Sequence, residues 1–257
     1  MDAIVGHTGF VGGNLIRQHA FGATYNSRNI AEIAGQQFGT LVFAGAQGKK
    51  WWANQNPEAD WAGIQSALDA MATTKADRVI LISTIDVVPP VTGADESFDC
   101  ASQPNHAYGE NRLRLEVALR DLFGDIAVVR LPGLTGHDLR KNIIYDLVHD
   151  NMVDKIDPAS RFQFYDLERL WQDIGTMSAA GLGLVHLVTE PVLTSDILAR
   201  YFPDAVVGTP PASGSPSYDF RTRHAAVFGG HGGYIYDAEE ALRRIGAYIA
   251  TARTSAP

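Results

Sequence analysis

A hydroxyl, a phenol and a cation occur at spacings that suit proton-transfer chemistry. The apolar stretch RVILIST ends at Ser83 and Thr84, and Tyr108 follows 24 residues after Thr84. Arg112 lies four residues beyond Tyr108, so both side chains share one face of the helix that NRLRLEVALRDLF predicts. In one cleft, the cation would lower the pKa of the phenol, and a hydroxyl would hydrogen-bond a reacting carbonyl or alcohol. These four residues are the candidates for catalysis, although HAYGENRLR in isolation also fits an ordinary charged surface helix.

The elements around this helix predict a sheet that can position it. Short apolar runs (AIVG, TLVFAGA, RVILIST and IAVVRLPG) alternate with longer amphipathic stretches such as VGGNLIRQHAF and DWAGIQSALDAMATT. Near-continuously apolar strands separated by helices are typical of a parallel sheet that is covered on both faces. The sequence therefore predicts an α/β fold with a doubly wound parallel sheet of the Rossmann type, in which ligands bind where the strands end.

The stretch VGHTGFVGGNLI predicts a binding site for a dinucleotide. Its glycines have the spacing G-x-x-G-x-x-G, directly after the first strand and directly before an amphipathic helix. Glycines permit a tight turn and let the backbone approach a pyrophosphate, and the helix start offers free N–H groups and a positive dipole end to that anion. The alternative is a turn needed only for packing. The predicted cofactor contacts in this stretch are Gly6, Thr8, Gly9, Phe10, Val11 and Gly12.

The end of the second strand, near ATYNSRN, favours NADP(H) as the cofactor. A site that prefers NAD usually has an acidic residue there, which accepts hydrogen bonds from the ribose hydroxyls. Here Asn26, Ser27 and Arg28 follow instead, and a guanidinium with a nearby hydroxyl suits a 2′-phosphate. NAD is the alternative cofactor, in which case Arg28 only solvates a loop. The third strand ends in FAGAQG, whose small residues would let a cofactor lie close over the sheet edge: Ala44, Gly45 and Ala46.

After residue 137 the pattern becomes less regular. Helices are predicted from KNIIYDLVHDNMVD, DLERLWQDIGTMSAAG and DAEEALRRIGAYIAT, the last with Asp237 as its N-cap, and a loop from FPDAVVGTPPASGSPSYDF. We therefore expect a dinucleotide-binding domain over residues 1–137. A smaller substrate-binding part should follow over 138–257, with some segments returning to the Rossmann core. Tyr165 lies near the predicted cleft wall, where substrate contact and structural hydrogen bonding are both open.

Composition and charge exclude several classes of protein. With 257 residues, 46% of them hydrophobic and 19% charged, the chain fits a soluble globular protein rather than a disordered one. Its net charge of −8 gives no support to a nucleic-acid or membrane partner. Cys100 is the one cysteine, so no intrachain disulfide can form. The sequence shows no signal peptide and no apolar run long enough to span a membrane, so we expect a cytoplasmic protein. The eight histidines are scattered without ligand spacing, so no metal site is predicted.

Five segments follow the order of one known family over roughly residues 1–175: GHTGFVG, FAGA, LISTIDVV, YGENRLRLE and VVRLPGLTG, with a weaker match in FQFYDLERLWQDI. On these residues the chain resembles the extended branch of the short-chain dehydrogenase/reductase superfamily, which contains nucleotide-sugar epimerases, dehydratases and keto-reductases. The glycine turn and the Tyr-x-x-x-basic element are each moderately specific, and their order and spacing make the combination strong.

The resemblance implies a hydride carried by a nicotinamide, with Tyr108 donating or accepting the proton. Thr84 aligns with the Ser/Thr that polarises the carbonyl, and Ser83 is its neighbour and substitute. The family normally has a lysine at the position of Arg112, where it contacts the nicotinamide ribose and lowers the pKa of the tyrosine. Arginine keeps the positive charge, but its planar fork is bulkier than an ammonium and differs from it in geometry.

Further contacts are implied on the substrate side. Pro132 and Gly133 align with the family's turn against the nicotinamide amide. Asn142 aligns with a sugar-nucleotide contact, and Lys141 could neutralise a diphosphate. His106, just before the candidate tyrosine, either contacts substrate or packs on the helix start.

Three functions are therefore hypotheses, of which the first is an NADP(H)-dependent reductase of a keto-sugar nucleotide or a similar polar carbonyl substrate. Family dehydratases carry an Asp-Glu pair directly after the threonine, where this chain has Ile85 and Asp86, and epimerases commonly have an aromatic residue where this chain has VVPP. Keto-reduction needs neither feature. The second hypothesis is an epimerase or dehydratase with tightly held NAD, and the third is a cofactor-binding regulatory protein without turnover, which Arg112 favours. Dimerisation is common in the superfamily, so a homodimer is an open expectation.

Overall fold

The computed structural model describes residues 1–255, which belong to two compact units. Unit 1 comprises residues 1–90, 96–131 and 168–186, and unit 2 comprises residues 91–95, 132–167 and the chain from Leu187 onward. The change of unit at Pro132 falls earlier than the expected boundary at residue 138. The segment 168–186 returns to the first unit.

The described residues form ten strands and eight helices. The strands are β1 (Ala3–Val5), β2 (Ala23–Tyr25), β3 (Gln37–Phe43), β4 (Lys75–Thr84), β5 (Ala127–Leu131), β6 (Gly133–Thr135), β7 (Arg161–Phe162), β8 (Phe164–Asp166), β9 (Leu184–His186) and β10 (Val192–Leu193). The helices are α1 (Phe10–Gln18), α2 (Lys50–Gln55), α3 (Pro57–Met71), α4 (Ala107–Phe123), α5 (Ile143–His149), α6 (Leu170–Ala179), α7 (Thr194–Tyr201) and α8 (Ala238–Ser255).

Unit 1 is built on one six-stranded sheet whose strands are all parallel. The strand order is β2-β1-β3-β4-β5-β9, so the chain moves outward from β1 to β2 and then returns past β1 to form β3. This reversal leaves the carboxyl ends of β1 and β3 side by side, with Val5 aligned to Phe43. Ligands of open parallel sheets bind at such a point. The predicted doubly wound α/β fold is confirmed.

The strands of unit 1 are apolar on both faces because helices cover both. On one face, Leu41 of β3 and Leu81 of β4 join a buried cluster with Ile64 of α3 and Leu115 of α4. The alternate strand residues, such as Ile80, are equally buried and point to the opposite face. Helices α1 and α6, which contact each other and each bury apolar side chains, cover that second face.

A buried ion pair joins α4 to β5 within unit 1. Glu116 is fully buried, and its two carboxylate oxygens accept hydrogen bonds from Nε and Nη2 of Arg130 at 2.9 and 2.8 Å. Arg130 Nη1 also lies 3.2 Å from Nε2 of His186 and 3.4 Å from Sγ of Cys100. Burial raises the pKa of the Cys100 thiol even though Arg130 acts to lower it. The cysteine therefore belongs to the packing of this unit.

Unit 2 contains two small sheets, parallel β6-β8 and antiparallel β7-β10. Helix α8 begins after Asp237, whose carboxylate accepts a hydrogen bond from the Glu240 backbone N–H at 2.8 Å, so the predicted N-cap is confirmed. The predicted Pro/Gly/Ser-rich loop lies outside helices and extended strands over residues 202–220. Among the described helices, none is long and apolar enough to cross a membrane.

Candidate active site

The turn after β1 requires glycine at two positions. Gly6 has φ +92°, a backbone conformation that residues with a side chain rarely adopt, and a Cβ there would overlap the backbone carbonyl of Ala44. A Cβ on Gly12 would overlap the carbonyl oxygen of Gly6. Because neither glycine has a side chain, the start of α1 packs directly against the turn after β1, and that turn packs against the end of β3. A pyrophosphate site needs such a close approach of the backbone.

The start of α1 has the properties of an anion site. Its N-cap is Gly9, which has no side chain to hydrogen-bond the first N–H groups, and the first turn closes when the Gly13 N–H donates to Gly9 O at 2.7 Å. Phe10 and Val11 form this first turn, and Thr8 is exposed just before it. Unpartnered N–H groups at a helix start attract phosphate. The turn and helix start therefore have the chemistry that a phosphate group of a dinucleotide requires.

Exchanging Gly12 for alanine should disrupt this cradle. Because the added methyl meets backbone rather than a movable side chain, the turn must open, and we expect loss of NADPH binding together with a lower melting temperature. Gly13→Ala is the matched control, since its Cβ finds no atom closer than 3.8 Å and alanine favours helix. Isothermal titration and thermal unfolding of both variants check this; equal NADPH affinity in the two variants would contradict it.

The segment after β2 lies beside this turn. The Gly6 N–H donates to Tyr25 O at 2.8 Å, and His7 Nδ1 lies 3.0 Å from the same oxygen. The loop that follows is ordered by Asn26, whose side-chain oxygen accepts from the Arg28 N–H at 2.8 Å. Ser27 and Arg28 are both exposed. Their side chains are therefore available to a ligand on the first turn.

Tyr108 is held rigidly at the start of α4. Its backbone N–H donates to the side-chain oxygen of Asn54 at 2.9 Å, and its side chain is 7% exposed. The guanidinium carbon of Arg112 lies 4.4 Å from the centre of the Tyr108 ring, as expected for two residues one helical turn apart. The side chain of Thr84, at the end of β4, lies near enough to the phenol to act on its pKa.

The pKa of Tyr108 differs from the sequence-based expectation. Burial raises it above the usual value for a phenol, whereas Arg112 and the nearby side chain of Thr84 act to lower it and Asp86 acts to raise it. The expected lowering by the cation is present, but desolvation of the phenolate outweighs it. The phenol of the free protein is consequently protonated at neutral pH.

Ser83 does not join this group. Its hydroxyl donates to the carboxylate of the buried Glu116 at 2.7 Å. Successive residues of a strand point to opposite faces, so Ser83 and Thr84 cannot both point to Tyr108. The structure therefore does not bring the Ser83 hydroxyl to Tyr108, and the hydroxyl beside the phenol belongs to Thr84.

His106 and Asp86 form a second polar group next to Tyr108. His106 is the N-cap of α4, because its Nδ1 accepts a hydrogen bond from the Gly109 N–H at 3.0 Å. This favours the helix-start interpretation of His106 over direct substrate contact. Asp86 lies 2.6 Å from Lys50 Nζ and 3.7 Å from His106 Nε2, and these partners hold its pKa below the usual value although burial acts to raise it. Lys50 was not predicted; it stands 36 residues before Asp86.

The predicted substrate-side residues other than His106 lie in unit 2. Asn142 is the N-cap of α5: its side-chain oxygen accepts from the N–H groups of Ile144 and Tyr145, and its amide donates to Leu134 O. Tyr165 in β8 is fully buried, which favours its structural role over substrate contact. Lys141 is exposed. Pro132 lies between β5 and β6, and Gly133 begins β6, where a Cβ would come within 2.7 Å of Gln163 O.

Solved structures of several nucleotide-sugar enzymes are similar to this chain over almost its whole length. A dTDP-4-dehydrorhamnose reductase from Yersinia enterocolitica superposes with a TM-score of 0.72 at 13% identity, covering 97% of this chain and 98% of the reductase. The same enzyme from Bacillus anthracis in complex with NADP gives 0.73 at 15% identity, over 96% and 97% of the two chains. The chain has the fold of these reductases. No protein-family model matches the sequence, and no curated protein does either.

Enzymes with other reactions share this fold. MoeE5 in complex with UDP-glucose and NAD gives a TM-score of 0.75 at 16% identity, covering 99% of both chains. The dTDP-glucose 4,6-dehydratase DesIV from Streptomyces venezuelae gives 0.71 at 14% identity, over 99% of this chain and 98% of the dehydratase. The fold implied by the resemblance to extended short-chain dehydrogenases is confirmed, and reductases and dehydratases share it equally.

Proposed function

We propose that this protein is an NADP(H)-dependent reductase of a keto-sugar nucleotide or a similar polar carbonyl compound. The observation that carries the proposal is the grouping of the Tyr108 phenol, the Thr84 hydroxyl and the Arg112 guanidinium in the unit that also holds the glycine cradle. A proton donor, a carbonyl partner and a cation are the parts that carbonyl reduction needs beside a dinucleotide.

In this proposal each side chain has one task. The glycine cradle and the start of α1 bind the pyrophosphate, and when bound the nicotinamide supplies the hydride equivalent. Thr84 hydrogen-bonds the substrate carbonyl oxygen and holds it beside the Tyr108 hydroxyl. Tyr108 gives its proton to that oxygen as negative charge develops there. Arg112, stacked on the ring at 4.4 Å, stabilises the phenolate that remains.

The protonated phenol is the form that reduction needs at its first chemical step. A reductase starts with Tyr108 as an acid, whereas an epimerase or dehydratase that first oxidises its sugar starts with Tyr108 as a base. Because burial raises the pKa of Tyr108, the free protein already holds the acid form at neutral pH. Dehydratases of the family have an Asp-Glu pair where this chain has Ile85 and Asp86. This difference also favours a reductase.

The epimerase or dehydratase with NAD remains the second candidate. Asp86 favours it, since an ionised carboxylate next to the Tyr108 group could take a proton from carbon. The candidates differ in stoichiometry: a reductase consumes one NADPH per product, whereas the others return the cofactor unchanged. A panel of keto-sugar nucleotides assayed for NADPH consumption supports the reductase if absorbance falls. Product formation without loss of NADPH would support the second candidate, and NADPH binding without any turnover would support the regulatory protein.

Cofactor preference gives a further test of this proposal. We expect Arg28→Ala to raise the Kd for NADPH by roughly 10–100-fold, because a charge-assisted hydrogen bond to the 2′-phosphate is lost, and to change the Kd for NADH little. Arg17→Ala, which removes another exposed arginine from the same unit, is the control and should change neither. Fluorescence titration measures both constants. Equal effects of Arg28→Ala on NADPH and NADH would mean that the side chain does not contact the 2′-phosphate.

A further inference from the structure

The cation beside Tyr108 is clamped by a carboxylate from another helix. Arg112 Nη1 lies 2.7 Å from Oδ2 of Asp60 and Nη2 lies 2.9 Å from Oδ1, so the pair is bidentate. Nη2 also donates to the backbone oxygen of Gln47 at 2.6 Å. Both charged side chains are only 3% exposed. Burial at this level makes the pair sensitive to geometry, since a buried charge without its partner is costly.

Asp60 is itself fixed before it meets the arginine. It lies in the first turn of α3, where an acidic residue is stabilised by the helix dipole, and its backbone N–H donates to Asn56 O at 3.0 Å. Asn111 of α4 donates to its Oδ2 at 2.9 Å. Burial acts to raise the pKa of Asp60, but the hydrogen bonds from Arg112 and Asn111 hold it below the usual value. The carboxylate is therefore ionised and immobile.

The clamp leaves the Nε donor of the guanidinium without a partner. Arg112 Nε is buried and has no hydrogen-bond partner within residues 1–255, while the two terminal nitrogens are occupied by Asp60 and Gln47. A lysine ammonium at this position would be a single point with three donors on a flexible stem. The arginine instead presents one fixed face to the Tyr108 ring and one fixed N–H.

We propose that Asp60 is a positioning residue of the reductase. By holding the guanidinium in place, Asp60 allows Arg112 to act as the cation beside Tyr108. This rests on the proposed function, because it assigns Asp60 a task in that reaction. Asp60 fixes the guanidinium plane against the ring, and its negative charge offsets part of the positive charge of Arg112. The phenol therefore keeps its proton until the substrate oxygen needs it. Asp60 and Arg112 are one functional pair.

If Asp60 and Arg112 act as a pair, exchanging Arg112 for lysine should not improve the enzyme. Arg112→Lys restores the residue that the family resemblance would have, yet one ammonium nitrogen cannot reproduce the planar fork whose two nitrogens reach both oxygens of Asp60 and the carbonyl of Gln47. We expect Arg112→Lys to lower kcat rather than raise it. In the double variant with Asp60→Asn the amide no longer requires a bidentate cation, so kcat should recover relative to Arg112→Lys alone. A pair with only a structural role would also show coupling, but in stability, and would leave the titration of Tyr108 unchanged.

The test compares wild type, Asp60→Asn, Arg112→Lys and the double variant, with Asp69→Asn as an exposed acid of the same helix for control. Asp60→Asn keeps the side-chain shape, and we expect kcat to fall roughly 10–100-fold with a smaller change in KM, since the lost group acts on a reacting residue. The limb of the kcat–pH profile that reports Tyr108 should move to lower pH, because the guanidinium charge is no longer offset. Asp86, Lys50 and His106, the other ionisable groups around this site, are unchanged in every variant.

A second readout does not depend on turnover. Tyrosine labelled with ¹³C at Cζ reports each phenol separately, and Tyr108→Phe assigns the resonance. We expect the Tyr108 resonance to titrate at lower pH in Asp60→Asn than in wild type. If the wild type reduces no substrate but this shift occurs, the proposed reductase is wrong, and what remains of the proposal is the control of the Tyr108 phenol by Asp60 through Arg112. An unchanged titration in Asp60→Asn, or an Arg112→Lys variant more active than wild type, would overturn the assignment of Asp60.

Discussion

Replacing Tyr108 by phenylalanine is expected to lower kcat by roughly 10²–10⁴-fold, the usual contribution of a positioned proton donor. The ring and its contact with Arg112 remain, so the packing of α4 and the binding of NADPH should change little. The phenol is the group that Thr84 and Arg112 surround, and burial keeps it protonated for donation. Initial rates of NADPH oxidation and titration of NADPH binding on the same preparation separate loss of chemistry from loss of binding.

Tyr201→Phe supplies the matched control for this substitution. Its hydroxyl donates to Leu242 O at 2.8 Å within unit 2, so removal costs one hydrogen bond but no member of the proposed site. We expect its kcat to stay near that of the wild type. If Tyr108→Phe keeps its kcat, or if both variants lose activity equally, Tyr108 is not the proton donor.

Removal of the buried carboxylate of Glu116 should give the largest loss of stability in unit 1. Glu116→Ala leaves the Arg130 guanidinium buried without its carboxylate, and removing one partner of such a pair typically costs about 3–5 kcal/mol in free energy of unfolding. Ser83 loses its acceptor as well. Urea unfolding followed by circular dichroism measures the change.

Arg140→Ala tests whether burial, rather than the ion pair as such, causes that loss. Arg140 pairs with Asp138 at 2.8 Å, but the two side chains are 76% and 56% exposed. Exposed pairs contribute about 0–1 kcal/mol, so the unfolding midpoint should barely move. Similar losses in the two variants would show that burial of Glu116 and Arg130 is not what makes their pair important.

The sequence predicted the part of the site that depends on local spacing. Glycines that must let backbones approach, strands that are apolar on both faces and a tyrosine four residues from an arginine all leave a pattern within a few positions. Those patterns led to the sheet, the cradle at Gly6 and Gly12, and the Tyr108–Arg112 pair. Strand alternation also predicts that the side chains of Ser83 and Thr84 point to opposite faces of the sheet.

The remaining features depend on partners that are distant in the chain. Asp60 stands 52 residues before Arg112, and only the packing of α3 against α4 brings them together. The raised pKa of Tyr108 results from burial, which no single segment encodes. The small sheets of unit 2 use strands of two or three residues, too short to show periodicity. The helix-cap role of Asn142 depends on a backbone at φ +97°, which the sequence does not indicate.

The most direct test of the account is transfer of deuterium from NADPH labelled at C4 of the nicotinamide. Purified protein is incubated with the labelled cofactor and a panel of keto-sugar nucleotides, and products are analysed by mass spectrometry and NMR. The account predicts one deuterium on the former carbonyl carbon and one NADPH consumed per product, and both should be lost in Tyr108→Phe. A product that forms without deuterium and without consumption of NADPH would contradict it.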